Sequence, residues 1–318
     1  MSTIKVNKIE NTATASGGIA IDASGNVQID GVQLPNAGQL SHRNRVINGR
    51  MLVNQRGNRA ASGFSAAFYA GPDRWLVNRS GTGDTGFSQI DSTDFGGTKA
   101  AEATFLAAAS ETYVVSQRIE SSNIADLAGQ NVTLSFYAKG ANSAGSATLN
   151  VSLSHATAVD NFASETVIAT HSVSYTASAQ LFTFTFTLPS GAANGVAVRF
   201  SGEKQTATGT FTFTYGGVQL EAGNKATALE QRSINDELRN CKRYYQANDS
   251  NFYLSANVGS AMVNVFSEEM RATPTMTQIS GSGNFGVFSD IGKTNCSMTI
   301  GSSGDNYFSI KWKAEAEL

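Results

Sequence analysis

The sequence predicts a mainly β protein: an extended N-terminal arm, a β-sandwich of jelly-roll type, one short connecting helix and a small C-terminal β module. Three observations predict it. Apolar residues alternate with Thr, Ser or Gly in a series of short runs, the period of strands with one buried face. Turn-forming residues separate the runs, with 31 Gly but only 4 Pro. One segment, "SINDELRNCKRYYQ" (233–246), breaks the alternation and carries a helical stripe instead. With 318 residues, 41% of them hydrophobic, the chain is too apolar to be disordered and long enough for about two domains plus extensions.

Residues 1–42 read as the arm. Short alternating pieces (Ile4 and Val6, Ile19 and Ile21, Val27 and Ile29) are divided by "SGG" and "ASGN" turns. So few large apolar side chains make no core alone. Such a segment orders by docking on another surface or by winding with copies of itself; the plain alternative is a loose terminus.

Residues 43–232 carry the strongest strand signal. Val132, Leu134 and Phe136 share one face, as do Leu149, Val151 and Leu153. Phe182, Phe184, Phe186 and Leu188 alternate with Thr183, Thr185 and Thr187; Val196, Val198 and Phe200, then Phe211, Phe213 and Tyr215, repeat the pattern. Apolar faces of this number need a second sheet to cover them, hence a sandwich. Trp75 and Val77 share a face of another strand, which favours core packing for Trp75 over sugar stacking. The Asp73–Arg74 pair is expected to fix the start of that strand.

Residues 233–247 form the connecting helix, of about 14 residues. Ser233 is its N-cap; Asp236 and Glu237 in the first turn and Lys242 and Arg243 near the end suit the helix dipole. Ile234, Leu238, Cys241 and Tyr245 form the stripe expected to be buried, either as a cap on the sandwich or at a subunit interface. Residues 248–318 resume alternation: Phe252, Leu254 and Ala256 against Tyr253, Ser255 and Asn257, and Phe308, Ile310 and Trp312 against Tyr307, Ser309, Lys311 and Lys313. This module is too small to be robust alone, and association through it would repair the deficit.

Net charge is -2 and the pI about 6.0, so no basic field is available to hold a nucleic acid. No apolar leader opens the chain, and no run approaches the roughly 20 apolar residues that cross a bilayer. A soluble protein folded in a cytoplasm, without membrane insertion, is the expectation. Cys241 and Cys296, far apart and without a CxxC, are expected to be buried free thiols.

The segments "RNRVINGRMLVNQRG" (43–57), "GPDRWLV" (71–77), "QLEAGNKATALEQRS" (219–233), "ELRNCKRYYQ" (237–246) and "VFSEEMRATPTMT" (265–277), in that order, resemble a recurrent module of bacteriophage tail-fibre and related virion proteins. The arm "STIKVNKIEN" is similar to those of cyanophage and other marine-phage structural proteins. The likeness covers nearly the whole chain; the departure is Leu229, where the family commonly has an aromatic residue. The resemblance implies a jelly roll similar to carbohydrate-binding modules in a virion fibre, homotrimeric and assembled in the host cytoplasm. Its arm, through Ile4, Val6 and Ile9, would attach to another tail or baseplate protein, and its far end would meet a host surface polysaccharide.

Motifs for chemistry are sparse. His42, His155 and His171 lie far apart, with His155 expected to end a strand and His171 to begin one; no HExxH or HxH is present. "GSGNFG" (281–286) matches a dinucleotide fingerprint in letters, but no helical stripe follows it, so a strand-connecting turn is expected. Asp84, Asp91 and Asp94 sit among glycines and are either a solvated loop or calcium ligands; no other cofactor is indicated. Glu268 and Glu269, adjacent on an expected strand, would face opposite ways and make a poor catalytic pair. No enzyme is expected. Glycan-binding candidates are Tyr253, Asn257, Tyr307, Ser309 and Lys311, the outward set of the last module: a tyrosine face beside amides, hydroxyls and a cation can stack on a sugar and bond its hydroxyls. The alternatives are a structural virion component, such as a capsid decoration or fibre collar, and a polysaccharide-degrading tailspike.

Overall fold

The computed structural model describes residues 8–10, 18–21, 27–29, 32–33, 42–63, 67–79, 84–106, 112–142, 148–203, 210–255, 261–283, 285–300 and 307–318. It is mainly β. Four short strands, β1 (Lys8–Glu10), β2 (Gly18–Ile21), β3 (Val27–Ile29) and β4 (Val32–Gln33), form an antiparallel meander in the arm. Ile4 and Val6 lie outside the described residues; Ile9 pairs by register with Ile19 and is exposed.

The sandwich strands are β5 (Arg59–Gly63), β6 (Phe68–Tyr69), β7 (Leu76–Arg79), β8 (Asp84–Asp91), β9 (Lys99–Leu106), β10 (Thr112–Ile119), β11 (Asn131–Asn142), β12 (Thr148–Ala158), β13 (Asn161–Ser174), β14 (Gln180–Thr187), β15 (Val196–Glu203) and β16 (Thr210–Ala222). They make two antiparallel sheets of six, in the orders β13-β12-β15-β10-β7-β6 and β14-β11-β16-β9-β8-β5. The pairs β6–β7, β8–β9 and β12–β13 are consecutive in sequence, but the other neighbours come from distant parts of the chain, so sequence order is only a partial guide to the pairing.

The alternating sets close on one another as their period requires. Val132, Leu134, Phe136, Leu149, Val151, Leu153, Val198, Phe200 and Phe213 are fully buried between the sheets. Phe136 of one sheet meets Phe200 of the other, ring centroids 4.7 Å apart. Trp75 is buried as expected, edge-on to Tyr215 at 5.1 Å. The Tyr215 ring completes this cluster, but its buried hydroxyl has no hydrogen-bond partner among the described residues, and burial pushes its pKa well up.

The segment ahead of the sandwich is pinned by polar side chains. Asn44 Nδ2 donates to Val218 O at 2.9 Å, while its Oδ1 accepts from Val46 N and Leu220 N. Gly49 approaches so closely that a Cβ there would stand 2.1 Å from Val218 O, so no other residue fits. Asn48 N donates to Glu237 Oε2 at 2.7 Å, and Gln55 donates to both oxygens of Asp73. From the other end, Glu221 accepts from Thr227 N and Oγ1, and Arg232 reaches Asn44 O, Val46 O, Glu230 and Glu237.

The helix α1 (Ile234–Lys242) is nine residues, shorter than its pattern suggests. Ser233 caps it by accepting from Asp236 N at 3.1 Å. The buried face differs from the expected stripe. Cys241 is buried and Leu238 partly so, but Ile234 is half exposed and Glu237 takes the inner position. Hydrophobic patterning misses this because Glu237 enters as the acceptor that the Asn48 amide and Arg232 require. Tyr245 is buried too, but it opens the next strand rather than closing the helix.

The C-terminal module has two three-stranded antiparallel sheets. One runs β17 (Tyr245–Ser255), β22 (Tyr307–Glu315), β19 (Thr275–Gly283); the other β18 (Ala261–Val265), β21 (Asn295–Ile300), β20 (Phe285–Ser289). Its core is Phe266, Met270, Cys296, Met298, Ile310, Trp312, Ala314 and Ala316. Both cysteines are buried and free. "GSGNFG" is mostly strand, the end of β19 and the start of β20, rather than a turn. Glu268 and Glu269 lie in a loop, not a strand; Glu268 pairs with Arg239 at 3.1 Å.

The module is tied to the sandwich by charge. Arg56 meets Glu317 at 3.0 Å, and Arg74 forms a second ion pair with the same carboxylate while stacking 3.4 Å above the Tyr244 ring. Arg118 donates to Leu318 O, and Arg271 of the module stands 3.9 Å from Asp160 of the sandwich; within the module, Arg271 Nε donates to Ala316 O. The Asp73–Arg74 pair therefore does more than start a strand: Asp73 orders the Gln55 turn and Arg74 receives the module. Among the described residues no helix is long and apolar enough to cross a membrane.

Candidate functional site

The outward faces of β10, β12, β13 and β15 form a groove of about 450 Å³. Because Leu149, Val151, Leu153, Val198 and Phe200 point into the core, the residues between them point away from it. Register then assembles two rows across the strands: Thr170, Ser152 and Arg199 in one, and Asn150, Ser201 and Val114 in the next. Glu165, on β13, projects into the same groove. Arg199 Nε donates to Glu165 Oε2 at 3.2 Å and its Nη2 donates to Oε1, a two-point fork that fixes both side chains. Ser154 Oγ adds a donor to Glu165, and Asn150 Oδ1 accepts from Ser172 Oγ at 2.8 Å.

The result is a polar trough on a rigid sheet: hydroxyls, one amide, and a held guanidinium–carboxylate pair whose Arg199 side chain keeps 30% of its exposure. Such a surface presents donors and acceptors in the alternation that a polyhydroxy ligand matches. Of its lining residues Glu165 alone carries a carboxylate, and none is aromatic.

The groove was legible in part. Asn150, Ser152 and Ser154 are the polar alternates of "SATLNVSLSH", and Arg199 is the charged residue inside "GVAVRFSG". They are the outward set of the sandwich strands, the counterpart of the outward set of the last module. What the sequence hides is that β12 and β15 are neighbours.

The candidates named from sequence fall elsewhere. Asn257 lies outside the described residues. By backbone register Tyr253 stands opposite Ser309, and Ser255 opposite Tyr307, on β17 and β22. Lys311 is partly exposed on β22. Asp84, Asp91 and Asp94 are not brought together. Asp84 and Asp91 end opposite tips of β8, whose seven steps span about 23 Å; Asp91 pairs with Lys99 at 2.5 Å and Asp94 with Lys139 at 3.2 Å. Among the described residues no group of three or more His, Cys, Asp or Glu could hold a metal ion. The histidines stay apart. His155 lies near the end of β12 against Gly191; His171 sits within β13, not at its start, and stacks on Phe184 at 4.7 Å.

No family model matches the chain, and no curated protein does. Several solved structures are similar in outline. A CBM4 structure is 22% identical over 55% of this chain and 98% of its own, with a TM-score of 0.35. The family 11 carbohydrate-binding module of a Clostridium thermocellum cellulosomal cellulase is 9% identical over 52% and 98%, with a TM-score of 0.35. The enzymatically active domain of bacteriophage CBA120 tailspike protein 4 is 12% identical over 57% of this chain but 22% of that one, with a TM-score of 0.38. At these scores the likeness carries no argument about the site.

Proposed function

We propose that this chain is a receptor-binding fibre component of a bacteriophage tail, which recognises a host surface glycan without turning it over and is held on the particle by its N-terminal arm. The observation that carries the reading is the groove: an Arg199–Glu165 fork ringed by Ser152, Ser154, Thr170 and Asn150 on the outward face of a six-stranded sheet. Recognition by hydrogen bonds without an aromatic platform is weak per site, and several copies on one particle multiply it. A single carboxylate, already paired with Arg199, is a poor start for glycoside hydrolysis, which ordinarily uses two. The ordered run of virion-type motifs supports the phage assignment.

Exposed Val263 and Val265 on β18 and Val287 on β20, all in one three-stranded sheet, support self-association through the C-terminal module. The test is competition. Purified protein added ahead of phage should reduce adsorption to the host, and Arg199→Ala should restore it. A protein that never competes would instead be a spacer, and one that releases reducing ends from host polysaccharide would be a spike enzyme.

A further inference from the structure

A second cavity, of about 340 Å³, opens where the C-terminal module meets the sandwich. Its floor is Arg56, whose guanidinium lies 3.8 Å from the centroid of the Tyr245 ring and 5.2 Å from that of Tyr69. The Arg56 side chain is 6% exposed, yet its Nε and Nη1 have no hydrogen-bond partner among the described residues. Nη2 is held by Glu317 at 3.0 Å, but the carboxylates nearest the other two atoms stand too far off for a hydrogen bond: Glu315 at 3.6 Å from Nε and Asp73 at 3.8 Å from Nη1. Buried donors left in this state normally meet a water or a ligand oxygen. Around the mouth, Tyr69 is partly exposed, Gln278 is exposed and Lys313 pairs with Glu315 at 3.0 Å.

The charge around the cavity selects the ligand. Arg56, Arg74 and Lys313 are balanced by Asp73, Glu315 and Glu317. An acidic group entering would meet Glu315 in the lining, with Asp73 and Glu317 behind Arg56, and a cation would meet Arg56 and Lys313. A neutral ring with hydroxyls suits both requirements: oxygen lone pairs for Arg56, hydroxyl protons for Glu315, and an apolar face for a tyrosine ring. We infer that the cleft between the two modules binds a neutral sugar residue, with Tyr69 as its stacking surface and Arg56 as its buried donor. The site is separate from the sheet groove and does not depend on the groove's being one.

The test uses the whole chain and calorimetric titration with neutral trisaccharides of glucose, galactose, mannose and N-acetylglucosamine, with trigalacturonate as the acidic counterpart. At least one neutral trisaccharide should bind. Tyr69→Ala should weaken it at least tenfold, and Gln278→Ala, at an exposed strand position, severalfold. Arg199→Ala, in the sheet groove, should leave this binding unchanged. Binding of no neutral trisaccharide, preference for trigalacturonate, or full affinity in both the Tyr69→Ala and Gln278→Ala proteins would overturn the inference. Loss of the binding only in Arg199→Ala would place the sugar in the groove and likewise overturn it.

Discussion

The sandwich and the C-terminal module are both antiparallel β, but they are held by different forces. In the sandwich, apolar faces of two six-stranded sheets close on Trp75, Phe136, Phe200, Phe213 and Tyr215. Among the described residues the module has a quarter as many buried core residues, and its last strand leads into a clasp of arginines on Glu317 and on the carbonyls of residues 316–318. A large sheet pair stabilises itself by area; a small one borrows a neighbour's surface, and charged side chains fix where it sits. Part of the deficit that the module's small size implies is covered by the sandwich of its own chain.

The strongest way to break the comparison is in the large core. Trp75→Ala should cost about 4 kcal/mol, read as a fall in denaturation midpoint for the whole chain. Next is the clasp. Glu317→Ala leaves Arg74 buried and unpaired, a loss of about 3 kcal/mol. Here hydrogen exchange should quicken across residues 245–318 and not in the sandwich strands. Uniform loss across both regions would mean that they fold as one unit and the contrast is false.

A smaller effect concerns acidity. Burial holds Glu237 above the usual carboxylate range despite Arg232 and the Asn48 amide, and burial likewise raises Asp73 against Arg56 and Gln55. A carboxyl whose folded value is raised takes up a proton on folding. Its contribution is therefore complete below the ordinary carboxylate value and is lost as pH rises through the folded value. Glu230 runs the other way: burial is outweighed by the Asn44 amide and Arg232, so its contribution fades as pH falls. Glu237→Gln should flatten the decline of melting temperature above the ordinary glutamate range; an unchanged profile would remove Glu237 from the account. Smallest, and opposite in sign, Tyr215→Phe removes a buried hydroxyl without a partner and should add about 1 kcal/mol to stability.

The fold was largely legible because period-two alternation reports burial directly. Val132, Leu134 and Phe136, or Val196, Val198 and Phe200, are buried as the letters imply. The site was less legible because a groove is a property of strand order, and β12 next to β15 joins residues about fifty positions apart. Glu237 shows the complementary failure: it lies where an apolar residue is expected because its partners, Asn48 and Arg232, come from other segments. The motifs that carry the family resemblance prove to be this same polar framework. Asn44, Asn48, Gly49, Gln55, Gln219, Glu221 and Arg232 hold the segment ahead of the sandwich to its last strand and to the helix. None of them lines the groove. The helix that interrupts the strands thus anchors a buried polar joint, and the surface proposed to meet a ligand is written in the less distinctive Ser, Asn and Thr of the strands.

The most direct measurement is a titration of wild type and Arg199→Ala with host surface polysaccharide, with reducing ends assayed in the same samples. The groove account predicts saturable binding by the wild type, loss of at least tenfold in the variant and no new reducing ends. Equal binding by both proteins, or release of reducing ends by the wild type, would contradict it.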